Sequence, residues 1–95
     1  MTPRQIELAR HALGLSADQR RSYRNRFVVP PGTDDFMEWS RMAAAGIAEG
    51  RTGAKIGLGV SFMFWLTPEG ALAALRPGEM LDPEDFPTLR DIFAA

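Results

Sequence analysis

The run V-S-F-M-F-W-L at residues 60–66 reads as a β-strand and limits the fold more than any other stretch. Side chains alternate across a strand, so Val60, Phe62, Phe64 and Leu66 fall on one face, and Ser61, Met63 and Trp65 on the other. Both faces are apolar. A helical layer can cover the first; the second calls for the C-terminal residues Leu89, Ile92 and Phe93, for a second copy in a homodimer, or for a foreign surface. The chain has 95 residues, of which 45% are hydrophobic, enough for one core and too short for two domains.

Capping signals place the helices around this strand. Thr2, Pro3 and Gln5 form a capping-box pattern, and Gly14 supplies the stop, so a first helix runs between them. Its stripe is Ile6, Ala9 and Leu13, widened by Leu8 and Ala12, with Arg4, Glu7, Arg10 and His11 assigned to the polar side. Ser16 and Gln19 repeat the cap signature and predict a short basic helical turn up to about Ser22, followed by an extended piece through Phe27 and Val29 that Pro30, Pro31 and Gly32 end. A second helix follows Thr33, with Asp34, Asp35 and Glu38 in its first turns and Phe36, Trp39, Ser40, Ala43 and Ile47 on its apolar stripe, and Gly46 closes it. Gly50–Gly53 reads as a turn or loop, after which the strand at 60–66 begins. Thr67 and Pro68 start a third helix that turns Ala71, Leu72 and Leu75 inward and ends at Pro77 and Gly78.

Charge is divided along the chain. Residues 1–30 hold six arginines against Glu7 and Asp18, net +4, whereas residues 31–95 hold five bases against ten acids, net −5. Such halves can pair with each other in the fold or steer a partner. Four arginines, Arg20, Arg21, Arg24 and Arg26, interleave with Tyr23 and Phe27 and form the best nucleic-acid candidate, with Arg51 and Lys55 as further cations near the hairpin. Against it stand an isoelectric point of 5.7 and the acids at the start of the second helix, which repel phosphate.

Enzymatic chemistry finds little to work with. There is no cysteine, which removes thiolate metal sites, disulfides and thiol nucleophiles, and the single histidine, His11, has no second histidine to join it. The acid pairs Asp34/Asp35 and Glu84/Asp85 are sequence neighbours that point apart on a helix, and no serine lies in G-x-S-x-G. Gly53, Gly57 and Gly59 around Lys55 lack the spacing of a phosphate loop. The expectation is a protein that is not an enzyme, with no cofactor and no metal. The longest wholly apolar stretch, Phe62–Leu66, falls far short of the ~20 residues that cross a bilayer, and no secretory run opens the sequence, so no membrane partner is expected.

The order of elements indicates an α+β fold: a compact unit over residues 1–80 with three main helices and a β-hairpin, and an irregular acidic C-terminal tail over 81–95 that packs on it. The runs A-A-A-G-I-A-E-G-R (43–51) and F-W-L-T-P-E-G-A-L-A-A-L (64–75) resemble winged-helix domains, in which a helix ends at a glycine, a strand forms a wing and returns, and a helix follows. Four runs, I-E-L-A-R-H-A-L-G-L (6–15), R-R-S-Y-R-N-R-F (20–27), F-W-L-T-P-E-G (64–70) and R-P-G-E-M-L-D-P-E-D-F (76–86), are similar to a family of small uncharacterised phage and prophage proteins; the chain departs from that family between Lys55 and Phe62. This resemblance implies a non-enzymatic accessory protein in the cytoplasm of a bacterial host. It would bind and block a host protein or nucleoprotein complex, in the manner of an anti-defence inhibitor of the anti-CRISPR type, as a monomer or homodimer. Its expected contact residues are the acids Asp82, Glu84 and Asp85, which suit a basic target, together with Met63 and Trp65. The alternative is a winged-helix-like DNA-binding regulator using Arg20, Arg21, Arg24, Arg26, Arg51 and Lys55.

Overall fold

The computed structural model describes residues 1–56 and 59–87, with side chains given outside 52–59. Three helices and a three-stranded antiparallel sheet make an α+β domain in the order α1 (Pro3–Leu13), β1 (Phe27–Val29), α2 (Asp34–Ala44), β2 (Ala48–Ile56), β3 (Gly59–Leu66) and α3 (Pro68–Ala73). The strand order is β1-β3-β2, so the apolar strand read from the sequence is the central one.

Local signals set the helix ends. Thr2 accepts from the Gln5 backbone while the Gln5 side chain accepts from the Thr2 N–H, completing the capping box, and Gly14 closes α1 at φ 77°, where a side chain would be strained. Thr33 and Thr67 cap α2 and α3 in the same way, through the backbone N–H groups of Phe36 and Gly70. The helices lie on one face of the sheet. Leu8, Ala9, Ala12 and Leu13 of α1 meet Trp39 and Met42 of α2, Phe64 and Leu66 of β3, and Ala71 and Ala74 in and beside α3. Phe64 lies nearly parallel to the Trp39 indole at 5.7 Å between ring centroids, and Phe36 meets Phe62 at 4.9 Å. Leu81 and Phe86, beyond α3, are buried in the same core.

Asn25 extends the sheet without being a strand residue. Its side-chain amide donates to the Leu66 carbonyl at 3.0 Å, and its Oδ1 accepts from the Leu66 N–H at 2.8 Å, so it pairs with β3 as a backbone would, just beyond the Phe27–Phe64 pair. Gly70 marks the closest approach of backbones. A Cβ there would stand 2.0 Å from the Ile47 carbonyl oxygen, which leaves glycine as the residue that lets α3 seat against the start of the hairpin.

Several expectations need correction. The helical turn expected up to Ser22 is absent: Ser16 and Gln19 close a tight turn by exchanging backbone hydrogen bonds, and the Gln19 side chain donates to the Arg21 carbonyl instead of closing a capping box. Residues 20–22 then run beside Met80 as a parallel bridge, with Ser22 N–H donating to the Met80 carbonyl and Met80 N–H to the Arg20 carbonyl. Gly50–Gly53 is strand, because the Phe64 ring fills the place a Gly50 side chain would take, and a register shift between Thr52 and Lys55 absorbs the irregularity. In α3 the positions turned inward are Gly70 and Ala71, while Leu72, about 100° round the helix from Ala71, is exposed. Val60 is 45% exposed because its pairing with Lys55 lies beyond the register shift, past the cover of the helices. Arg10, assigned to the polar side of α1, is only 6% exposed. The expected coverage by Leu89, Ile92 and Phe93 lies outside the described residues.

Candidate functional site

The sheet has one face committed to the core and one that the helices do not use. On the second face, β3 places Met63 and Trp65, both half-buried, and the neighbouring strands set Val28 and Arg51 opposite Met63 and Glu49 opposite Trp65. Val28 is 47% exposed and Arg51 is exposed, so the face offers an aromatic ring, a thioether, a branched aliphatic group and a cation together. The Arg51 guanidinium carbon lies 5.9 Å from the Trp65 ring centroid, within reach of a cation–π contact. Ser61 of the same face is buried.

The acidic candidates are placed elsewhere, on the turn after Leu81. The Asp82 N–H donates to Ser22 Oγ, its Oδ1 accepts from the Glu84 N–H and lies 3.6 Å from the Arg21 guanidinium. Asp82 therefore ties the turn to the 20–22 segment. Glu84 and Asp85 are exposed, and the Asp85 carboxyl is raised above its ordinary value, first by burial and then by the charges of Asp82 and Glu84. Among the described residues no hydrogen bond or ion pair joins this turn to Met63 or Trp65.

The arginine group divides. Arg21 faces Asp82; Arg24 donates to the His11 carbonyl at the end of α1, which also accepts from the Gly14 N–H, and lies 5.2 Å from the Tyr23 ring. Arg24 also lines, with Arg26, which leads into β1, a groove completed by His11, Phe27 and Val28, so these two of the four arginines are brought together. Arg20 is exposed beside Gly78, Arg51 belongs to the outer sheet face, and the Lys55 side chain lies outside the described positions. The two halves of the chain pair across the fold: Arg4 reaches Asp35 at 2.5 Å, Arg10 meets Glu79, and Arg21 faces Asp82.

The Arg10–Glu79 pair escapes a reading by polarity. Both side chains are more than nine-tenths buried; the guanidinium donates to both Glu79 oxygens, one at 2.6 Å, and also to the Ala74 carbonyl at 3.0 Å. The Arg10 hydrogen bond holds the Glu79 carboxyl down at about 2, against an ordinary value of 4.5, with help from the Arg76 backbone N–H and against the effect of burial. Its signal was the spacing itself. Arg10 stands four residues after Ile6 and three before Leu13, on the buried arc of α1.

Among the described residues no three histidine, aspartate or glutamate groups converge to hold a metal ion, and no helix is long and apolar enough to cross a membrane. No family model, curated protein or solved structure matches the chain.

Proposed function

We propose that this protein is a non-enzymatic binding module that occupies a partner protein through the outer face of its sheet. The observation that carries this reading is the set Val28, Met63, Trp65 and Arg51 on the face that the helices leave aside. Tryptophan, methionine and arginine are enriched at protein interfaces, and an antiparallel sheet holds their backbones in fixed register, so docking orders side chains only. The resemblance of the four sequence runs to small phage and prophage proteins supports, within this reading, a bacterial host protein or nucleoprotein complex as the partner, blocked by occupation in the manner of an anti-defence inhibitor. Glu84 and Asp85, whose charges are exposed on the turn after Leu81, are a second contact suited to a basic target.

The test is capture from a bacterial lysate with the wild-type chain, a Trp65→Ser variant and a Glu84→Lys, Asp85→Lys variant, each checked for folding by circular dichroism. Loss of the captured protein with Trp65→Ser supports the sheet face; equal capture by that variant rejects it. Loss with the charge-reversed turn assigns Glu84 and Asp85 to the contact. DNA binding is a second reading, favoured by Arg26 and Arg51, which have no carboxylate partner among the described residues. It expects a mobility shift at low salt that Arg26→Glu and Arg51→Glu abolish, and no shift at low salt rejects it.

A further inference from the structure

Two grooves adjoin on the exposed side of α1. The larger, of about 440 Å³, runs along Ile6, His11 and Leu15; the smaller, of about 200 Å³, is bounded by Ala17, Arg20 and Pro77. Both are lined by Arg10, Ser16 and Arg76, which form the waist between them. Every carboxylate that faces these grooves already has its cation: Glu79 is bound by Arg10, and Glu7 lies 3.3 Å from Arg4. Arg20 and Arg76 have none. The smaller groove therefore holds two arginines without an ion-pair contact, Arg20 beside the waist and Arg76 within it, next to the Arg10–Glu79 pair, on whose carboxylate the Arg76 charge also acts.

The backbones that carry these arginines are fixed. The Arg20 carbonyl accepts from the Met80 N–H, and its guanidinium lies against Gly78. The Arg76 N–H donates to Glu79 Oε1 at 2.8 Å, and the Arg76 carbonyl accepts from the Glu79 N–H. Ser16 uses both backbone groups in its turn with Gln19, while its hydroxyl makes no hydrogen bond among the described residues.

We propose that this waist is a binding site for a phosphate group, gripped by Arg20 and Arg76 with the Ser16 hydroxyl as a third contact. One guanidinium fork satisfies both oxygens of a planar carboxylate. Two forks and a hydroxyl match the larger number of oxygens on a tetrahedral phosphate. The larger groove, with Ile6 and Leu15, gives the organic part of a phosphate ester an apolar wall. None of Val28, Met63, Trp65 and Arg51 lines either groove, and the proposal does not depend on the sheet-face reading.

The test is a titration with inorganic phosphate at pH 7 and constant ionic strength, followed by NMR of the backbone amides and arginine Nε–H groups. The expected result is saturable shifts confined to Ser16, Arg20, Arg76 and their neighbours, with Arg20→Gln and Arg76→Gln each weakening affinity roughly tenfold, the scale of one charge-assisted contact. Both positions are exposed, so the amide spectrum of each variant verifies the fold. A parallel titration with AMP distinguishes sources: tighter binding with shifts at Ile6 and Leu15 identifies a nucleotide-type ester, and equal binding identifies free phosphate. Shifts that rise without saturation and reach Arg41 and Arg51 alike would overturn the proposal, as would unchanged affinity in the double variant.

Discussion

The two sides of the sheet are made from similar residues and held by different means. On the helical side Phe64 and Leu66 are buried among Trp39, Met42 and Ala71, and the Arg10–Glu79 pair closes the margin. On the outer side Met63 and Trp65, taken from the same strand, are half-buried with an arginine and an exposed valine for company. Hydrophobicity alone does not separate these sets. What separates them is whether helices that begin at Thr2, Thr33 and Thr67 arrive over that face, so the packed core is concentrated on one side, and the other is the face proposed to bind.

Substitution on each face breaks this comparison most directly. Phe64→Ala removes a ring packed against Trp39 and Phe36 and should lower unfolding free energy by about 3–5 kcal/mol, whereas Trp65→Ala should cost less than half of that. Urea unfolding monitored by circular dichroism reads both, and equal losses would show that the outer face is core as well. Glu79→Gln tests the margin of the helical side. It leaves the Arg10 charge buried beside a neutral amide, and a loss on the order of 3 kcal/mol is expected at pH 7.

The same carboxylate gives the helical side an acid dependence. Its folded value of about 2 lies below the ordinary 4.5, so the unfolded chain takes up the proton first. The stabilisation is complete above about pH 4.5 and is lost as the pH falls towards 2, and Glu79→Gln should flatten that limb in a series of melts. The smallest expected effect is at the end of the sheet. Asn25→Ala removes both hydrogen bonds to Leu66 and should cost about 1–3 kcal/mol, with faster amide exchange at Leu66 and little change at Met63.

What the sequence made legible was what depends on neighbours. The caps at Thr2, Thr33 and Thr67, the stop at Gly14 and the alternation of β3 all follow from residues within about four positions of one another; the caps and the stop are present, and the alternation holds in burial over Met63 to Leu66. What it hid depends on distant partners. Ser22 looks like the end of a basic helical turn until its hydroxyl is found accepting from the Asp82 N–H, and Gly50 looks like a turn until Phe64 lies across it. Arg10 was hidden for another reason, since its position on α1 was readable and its polarity argued the other way. Of the candidate contacts, the alternation of β3 set Met63 and Trp65 on one face, but their company of Val28 and Arg51 needed the strand order.

The partnership between Arg10 and Glu79 spans 69 positions, and that distance bears on how the chain is made. On the ribosome, α1 has all its capping residues once Gly14 has emerged, yet its arginine meets its carboxylate only after residue 79 has been synthesised. Closure consequently waits until Glu79 is available, and a nascent chain stalled before it carries a bare guanidinium where this part of the interior has to form.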